Sequence, residues 1–291
     1  MRVMVLGGRG QLGRALADTL PDGYQCVSLD VDEVDITDQA AIERVVQEWQ
    51  PDFVVNAAAY TAVDRAESEP ERSRLVNVVG AGNVARAVDR VGARLVFVST
   101  DFVFDGRAEK PYGPHAKTNP LSVYGTTKRD GELATQRNCA GGAVVLRTAW
   151  LYGEYGTNFA RSMLRLMRDR DRLAVVDDQT GTPTWTHSLA TVVWSFSLQP
   201  RLSGTYHWTD GGRTTWYGFA DAIREEALSL GILRRDVVLN AISAADYAAA
   251  ASRPAFSVLD TGSTTDAVGI APVPWRANLR EALKRIKRLD G

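Results

Sequence analysis

Apolar residues in the first half of the chain follow two alternating rhythms. Val3 to Leu6, Phe53 to Val55, Leu95 to Val98 and Val144 to Leu146 are short unbroken runs, and Cys26 to Leu29 is a run broken only by Ser28, as in strands buried on both faces. Between them apolar positions recur at helical spacing: Leu16 and Leu20, then Ile42, Val45, Val46 and Trp49. A long helix is expected over Glu71 to Arg90, carrying Asn77 and Asn83, and another over Tyr124 to Gln136. This alternation predicts an α/β fold with a doubly wound parallel sheet.

Beyond residue 150 the pattern is mixed. Helices are expected from Asn158-Phe159, over Trp216 to Leu230 and over Leu279 to Leu289, with a strand at Gly204 to Trp208 and a polar loop at Asp177 to Thr184. We expect residues 1–150 to form a dinucleotide-binding domain, with returning segments from about 172–222 and 250–266. The remainder of 151–291 is expected to be a smaller, discontinuous substrate domain.

Composition narrows the function. With 34 basic and 35 acidic residues interspersed over 291 positions, the chain has no nucleic-acid footprint. No apolar run reaches membrane-spanning length, and a cytoplasmic protein is expected. Cys26 and Cys139 lie far apart, and His115, His187 and His207 fall in separate regions, so no metal site is expected.

Two motifs carry chemistry. The first strand runs into Gly7-x-x-Gly10-x-x-Gly13 and then a helix, the context in which backbone N–H groups cradle a pyrophosphate. Asp30, about twenty residues further on, closes the next strand and suits a ribose 2′-hydroxyl. It would repel a 2′-phosphate, but Arg9 and Arg14 are close in sequence, which leaves NADH and NADPH both open. The second motif is Tyr124-x-x-x-Lys128, one helical turn apart. An ammonium there can lower the phenol's pKa and suit it to proton transfer, and Thr100, 24 positions upstream of Tyr124, can share the same substrate oxygen.

Together, the glycine motif, Asn56-Ala-Ala-Ala59, Ser99-Thr-Asp101 and Tyr124-x-x-x-Lys128 resemble the extended short-chain dehydrogenase/reductases. Asn56 to Glu71, Ser99 to Gly106 and Val176 to Thr184 resemble more narrowly the dTDP-4-dehydrorhamnose reductase family, and Thr215-Trp-Tyr217 and Arg253-Pro254 extend the match. The resemblance implies a dTDP-linked 4-keto-6-deoxy sugar as substrate, reduced at C4 with NADPH or NADH. It assigns Thr100, Tyr124 and Lys128 to catalysis, Tyr124 and Lys128 also binding the cofactor, with Lys128 on the nicotinamide ribose, and Thr100 also binding the substrate. It gives the cofactor Gly10, Gln11, Leu12, Asp30, Asp35, Ile36, Ala59, Tyr60 and Thr61, besides Gly7 and Gly13 of the turn. It gives the sugar Val63, Asp101 and Trp150, and the nucleotide diphosphate Asn158.

One departure bears on assembly. Some family members bridge a dimer with magnesium through glutamates near the glycine loop and after the Pro-Thr segment. Here those neighbourhoods offer Arg14 and Ala15, and Trp185 to His187, without a carboxylate. A monomer or weak homodimer without magnesium is expected. Among rival activities, a 4,6-dehydratase would need an Asp-Glu pair, but Phe102 follows Asp101. An epimerase, and a 4-ketoreductase acting on another deoxyketosugar of an antibiotic pathway, stay open. A non-catalytic NAD(P)-binding regulatory subunit would keep the glycine loop while losing Tyr or Lys, and both are intact.

Overall fold

The computed structural model describes residues 1–139 and 141–290. β1 (Arg2–Leu6) turns through glycines into α1 (Gln11–Asp18), followed by β2 (Gln25–Leu29), α2 (Gln39–Trp49) and β3 (Phe53–Asn56). α2 starts at Gln39, where the Asp38 carboxylate caps it by accepting from the Ala41 N–H at 3.1 Å. A short α3 (Val63–Ala66) precedes α4 (Pro70–Arg74), a π-helical stretch (Leu75–Gly80) and α5 (Ala81–Arg90), so the expected long helix carries a wider turn at its centre. Then come β4 (Arg94–Thr100), α6 (Val123–Asn138), β5 (Ala143–Thr148), β6 (Leu151–Tyr152) and α7 (Phe159–Asp169).

The remaining strands and helices are β7 (Arg172–Val176), β8 (Thr180–Gly181), β9 (Thr184–Trp185), α8 (Thr186–Ser197), β10 (Gly204–His207), β11 (Thr214–Thr215), α9 (Trp216–Ser229) and β12 (Val238–Ile242). They end with α10 (Ala244–Tyr247), α11 (Gly262–Val268) and α12 (Trp275–Asp290). The expected polar loop at Asp177 to Thr184 thus holds two short strands, and the last helix begins at Trp275, earlier than the sequence suggested.

Six parallel strands form the main sheet in the order β10-β5-β4-β3-β1-β2. Alternate side chains feed two layers. Val3, Val5, Phe53, Val55 and Val96 pack on α1 and α8, while Met4, Leu6, Val54 and Leu95 pack on α2 and α5. The chain leaves β1 in one direction towards β2 and resumes at β3 on the other side. The carboxyl ends of β1 and β3 therefore flank a topological switch point, where open α/β sheets leave a ligand crevice. A separate core joins Leu164 and Met167 of α7, Leu173 and Val175 of β7, Phe219 and Ile223 of α9, and Leu279, Leu283 and Ile286 of α12. Among the described residues, no helix is long and apolar enough to cross a membrane.

Candidate active site

A cavity of about 940 Å³ opens at that switch point. Its lining begins where β1 stops. The Gly7 and Gly8 N–H groups both donate to the Leu29 carbonyl, at 2.9 and 3.0 Å, which folds the loop back over β2. Gly7 has φ +81°, and a Cβ there would lie 2.8 Å from the Ala58 nitrogen, so the turn admits only glycine. Gly10 precedes α1 and gives it no side-chain cap, leaving the first-turn N–H groups to serve a ligand.

Two buried asparagines in the long helical run hold the neighbouring loops that line the cavity. The Asn77 carboxamide accepts from the Tyr60 N–H at 2.9 Å and donates to its carbonyl at 3.2 Å, fixing the segment after β3. Asn83 donates to the carbonyls of Ile36 and Thr37 at 3.0 and 3.1 Å, fixing the segment after β2. The sequence places both on a helix without a role; their signal is only that polar side chains interrupt an otherwise apolar face.

The chemical end of the cavity is built by β4 and α6. Thr100 ends β4 and donates its hydroxyl to an Asp101 carboxylate oxygen at 3.0 Å. Asp101 is fully buried, its other oxygen takes no well-aligned hydrogen bond, and burial pushes the carboxyl up to about 6 against the hydroxyls of Ser257 and Thr100. α6 is capped by Ser122, whose hydroxyl accepts from the Gly125 N–H at 3.1 Å. A Cβ on Gly125 would stand 2.2 Å from the Phe102 carbonyl, so glycine lets α6 press Tyr124 and Lys128 against the end of β4.

Lys128 donates to the Val98 carbonyl at 2.7 Å and lies over the Phe97 ring. Burial lowers it to about 8, opposed by Glu132 one turn along. Burial likewise raises the Tyr124 phenol to about 12, with the Thr100 hydroxyl pulling down and Asp101 pushing up. The expectation that Lys128 depresses this phenol is therefore not what the structure gives. The ammonium gives one of its three donors to a backbone carbonyl, and desolvation governs the tyrosine. Beneath them Glu132 accepts two hydrogen bonds from Arg147, at 2.8 and 2.7 Å, and one from the Ser99 hydroxyl, all out of water. Glu132 lies eight residues after Tyr124, on the same helix face, a spacing from which it could have been found.

The opposite wall is aromatic. Trp150, at φ +46°, stacks face to face on Trp216, ring centroids 3.5 Å apart and planes at 5°, and Phe159 leans on Trp216. All three line the cavity, as do Arg72 and Arg253. Arg253 is held by Asp64 through contacts of 3.1 and 2.8 Å.

The same cavity is lined by Gly7, Gly10, Gln11, Leu12, Gly13, Asp30, Asp35, Ile36, Ala59, Tyr60, Thr61, Val63, Thr100, Asp101, Tyr124, Lys128 and Trp150. Asn158 does not line it. Its oxygen caps α7 by accepting from the Arg161 N–H at 3.1 Å, and its nitrogen donates to the carbonyls of Gly153 and Tyr155 at 2.9 and 3.1 Å. Both polar ends are thus committed, and its neighbours Gly156, Thr157 and Phe159 face the cavity instead.

The expectation of a carboxylate-free neighbourhood around Ala15 and His187 needs correction. Asp18, one turn beyond Ala15, and the buried Glu154 each approach His187 to 3.5 Å. Arg285 joins them, 2.9 Å from the His187 ring nitrogen and 3.4 Å from Glu154, and supplies positive charge to the cluster. Burial lowers the His187 pKa, with Arg285 adding to that and the two carboxylates opposing it.

A family model described as the RmlD substrate binding domain matches residues 1–288. The chain is 39% identical over 293 residues to the dTDP-4-dehydrorhamnose reductase of Aggregatibacter actinomycetemcomitans, covering 98% of each. It is 42% identical over 289 residues to that of Streptomyces griseus, covering 97% of this chain and 92% of the relative. The crystal structure of dTDP-4-dehydrorhamnose reductase from Bacillus anthracis str. Ames in complex with NADP superposes with a TM-score of 0.92 at 34% identity, covering 98% of this chain and 99% of that one. A glycine turn at a parallel switch point, a Thr-Tyr-Lys cluster in the same cavity and these matches over nearly the whole length agree: the chain belongs to the dTDP-4-dehydrorhamnose reductase family of extended short-chain dehydrogenase/reductases.

Proposed function

We propose that this protein reduces the C4 ketone of dTDP-4-dehydrorhamnose to give dTDP-rhamnose, using NADH or NADPH. The observation that carries the reading is that Thr100, Tyr124 and Lys128 line one cavity with the glycine turn, in a chain of this family. The cavity fits a dinucleotide on its own evidence: an uncapped α1 N-terminus behind Gly7, and an acid at Asp30 where a ribose would rest. Gly7, Gly10, Gln11, Leu12 and Gly13 would hold its pyrophosphate, and Asp35, Ile36, Ala59, Tyr60 and Thr61 its flanks. When bound, the dihydronicotinamide supplies hydride to the carbonyl carbon.

The rest is done by this chain. Tyr124 gives its phenolic proton to the ketone oxygen; at about 12 the phenol stays protonated at neutral pH, ready to act as the acid. The Thr100 hydroxyl, rotating its single hydrogen away from Asp101, donates to the same oxygen as negative charge grows on it. Lys128 holds positive charge beneath and reaches a ribose hydroxyl. Asp101, Val63 and Trp150 orient the sugar, and Arg72 and Arg253 attract the diphosphate. Gln11 lies 3.4 Å from Asn158, so Asn158 acts on the site as a positioning residue through Gln11 and the α7 cap.

The proposed division of labour gives the cofactor to residues 1–150 with returning segments from about 172–222 and 250–266, and the sugar to the rest of 151–291. It is supported by the pairing of β10 with β5 in the main sheet and by the separate core of α7, α9 and α12.

The test is nicotinamide absorbance with dTDP-4-dehydrorhamnose. The wild type should consume the reduced cofactor. Tyr124→Phe should lose roughly 10²- to 10⁴-fold in kcat while binding cofactor as before. Wild-type turnover by that variant would remove Tyr124 as the proton donor.

A further inference from the structure

Where the adenosine ribose would rest, the lining is more negative than positive. Asp30 is tied down at both oxygens: one accepts from the Arg9 backbone N–H at 2.8 Å, the other from the Val31 N–H at 2.9 Å. The nearest cation is the Arg9 side chain, on the loop between Gly7 and Gly10. It does not face the cavity as a free charge. One of its terminal nitrogens is bonded to Asp32 and the other to Glu33. Glu33 is itself anchored, accepting from the Asp30 backbone N–H at 2.9 Å through its second oxygen. Arg14, the other cation near the loop, donates to the Arg9 carbonyl and lies over the Tyr155 ring.

One guanidinium therefore stands among three carboxylates at the edge where a 2′-phosphate would enter with close to two further negative charges. A ribose 2′-hydroxyl meets no such repulsion and can donate to Asp30. We infer that this chain selects NADH over NADPH, and that Asp32 and Glu33 enforce the choice by holding Arg9 away from the 2′ position. The inference rests on the reductase reading above and goes beyond it by ranking the two cofactors. The Bacillus anthracis relative was crystallised in complex with NADP, so the fold itself does not bar a 2′-phosphate.

The experiment is binding without sugar: quenching of tryptophan fluorescence by NADH and by NADPH, at low and at high salt, for the wild type and for Asp32→Asn/Glu33→Gln. Both positions are largely exposed, so the double variant removes charge without opening the core. At low salt NADH should bind the wild type at least roughly tenfold more tightly, and salt should narrow the gap by screening the repulsion. Freeing Arg9 in the double variant should tighten NADPH by roughly fivefold and leave NADH within about twofold. NADPH binding as tightly as NADH, NADPH affinity that falls more steeply with salt than that of NADH, or an unchanged ratio in the double variant would each overturn the selectivity and leave the reductase reading standing. Binding of neither cofactor would overturn both.

Discussion

Gly181→Ala puts pressure on the wall of the cavity proposed to hold the sugar and leaves the wall proposed for the cofactor alone. Gly181 sits in β8, paired with Thr214, and its backbone does not require glycine. An alanine Cβ there would stand 2.4, 2.6 and 2.7 Å from three atoms along the edge of the Trp150 indole. Carbon atoms rest about 3.5–4.0 Å apart, so the ring must retreat by about 1 Å. It is already in face contact with Trp216, which in turn meets Phe159, so the shift disturbs the whole aromatic wall. Overpacking of this kind costs about 1–3 kcal/mol of stability. A 1 Å error in placing the reacting carbonyl costs on the order of 10²-fold in rate. Steady-state kinetics with the ketosugar should therefore show kcat/KM lower by roughly that factor. The dissociation constant for NADH should stay within about twofold, because no cofactor-loop atom lies among the nearest contacts. Gly113→Ala is the control, since a Cβ there meets nothing within 4 Å. Wild-type kcat/KM in a folded Gly181→Ala protein would refute the assignment of Trp150 to the sugar, and an equal loss of cofactor affinity would refute the separation of the two walls.

Two predictions concern pH. Lys128 sits at about 8, so its charge, and with it kcat/KM, should fall as pH rises through that value; Lys128→Arg, slower overall, should move this basic limb upward, and a limb that stays in place would assign it elsewhere. Asp210 is buried at about 6 against an ordinary 3.8, and its carboxylate accepts from the Trp185 N–H at 3.0 Å. The folded state holds this proton more tightly than the unfolded chain. The resulting stability is complete below about 3.8, fades as pH rises and is gone above about 6, a contribution of about 3 kcal/mol. Denaturant unfolding at pH 4 and pH 7 should show the wild type losing most of that amount relative to Asp210→Asn, whose side chain does not titrate; parallel curves would contradict it.

What could be read from the sequence had local signatures. The glycine turn, the buried strands β1, β3, β4 and β5, and the Tyr124–Lys128 pair each announce themselves within a few residues, and the helices between the strands fix the parallel order. What escaped depends on distant partners. α8 has buried residues around most of its circumference, with Leu189, Val192, Val193, Trp194 and Phe196 all inside, so it lacks the polar stripe that marks a surface helix. β7 and β12 pair across some sixty residues in a two-stranded ladder with no hairpin signal between them. Asn158 shows why a motif residue needs a structure: a polar side chain at a helix start suits a ligand and a cap equally, and here the cap takes it. The Asp18, Glu154, His187 and Arg285 cluster draws on four separate segments, and Arg9 is directed by acids more than twenty positions away.

The most direct test of the reductase reading is the fate of label from NADH deuterated on the transferable face of C4, incubated with the protein and dTDP-4-dehydrorhamnose. The account predicts dTDP-rhamnose carrying deuterium at sugar C4 and nowhere else, with one oxidised cofactor for each product. Unlabelled product, or a sugar altered without net oxidation of NADH, would contradict it.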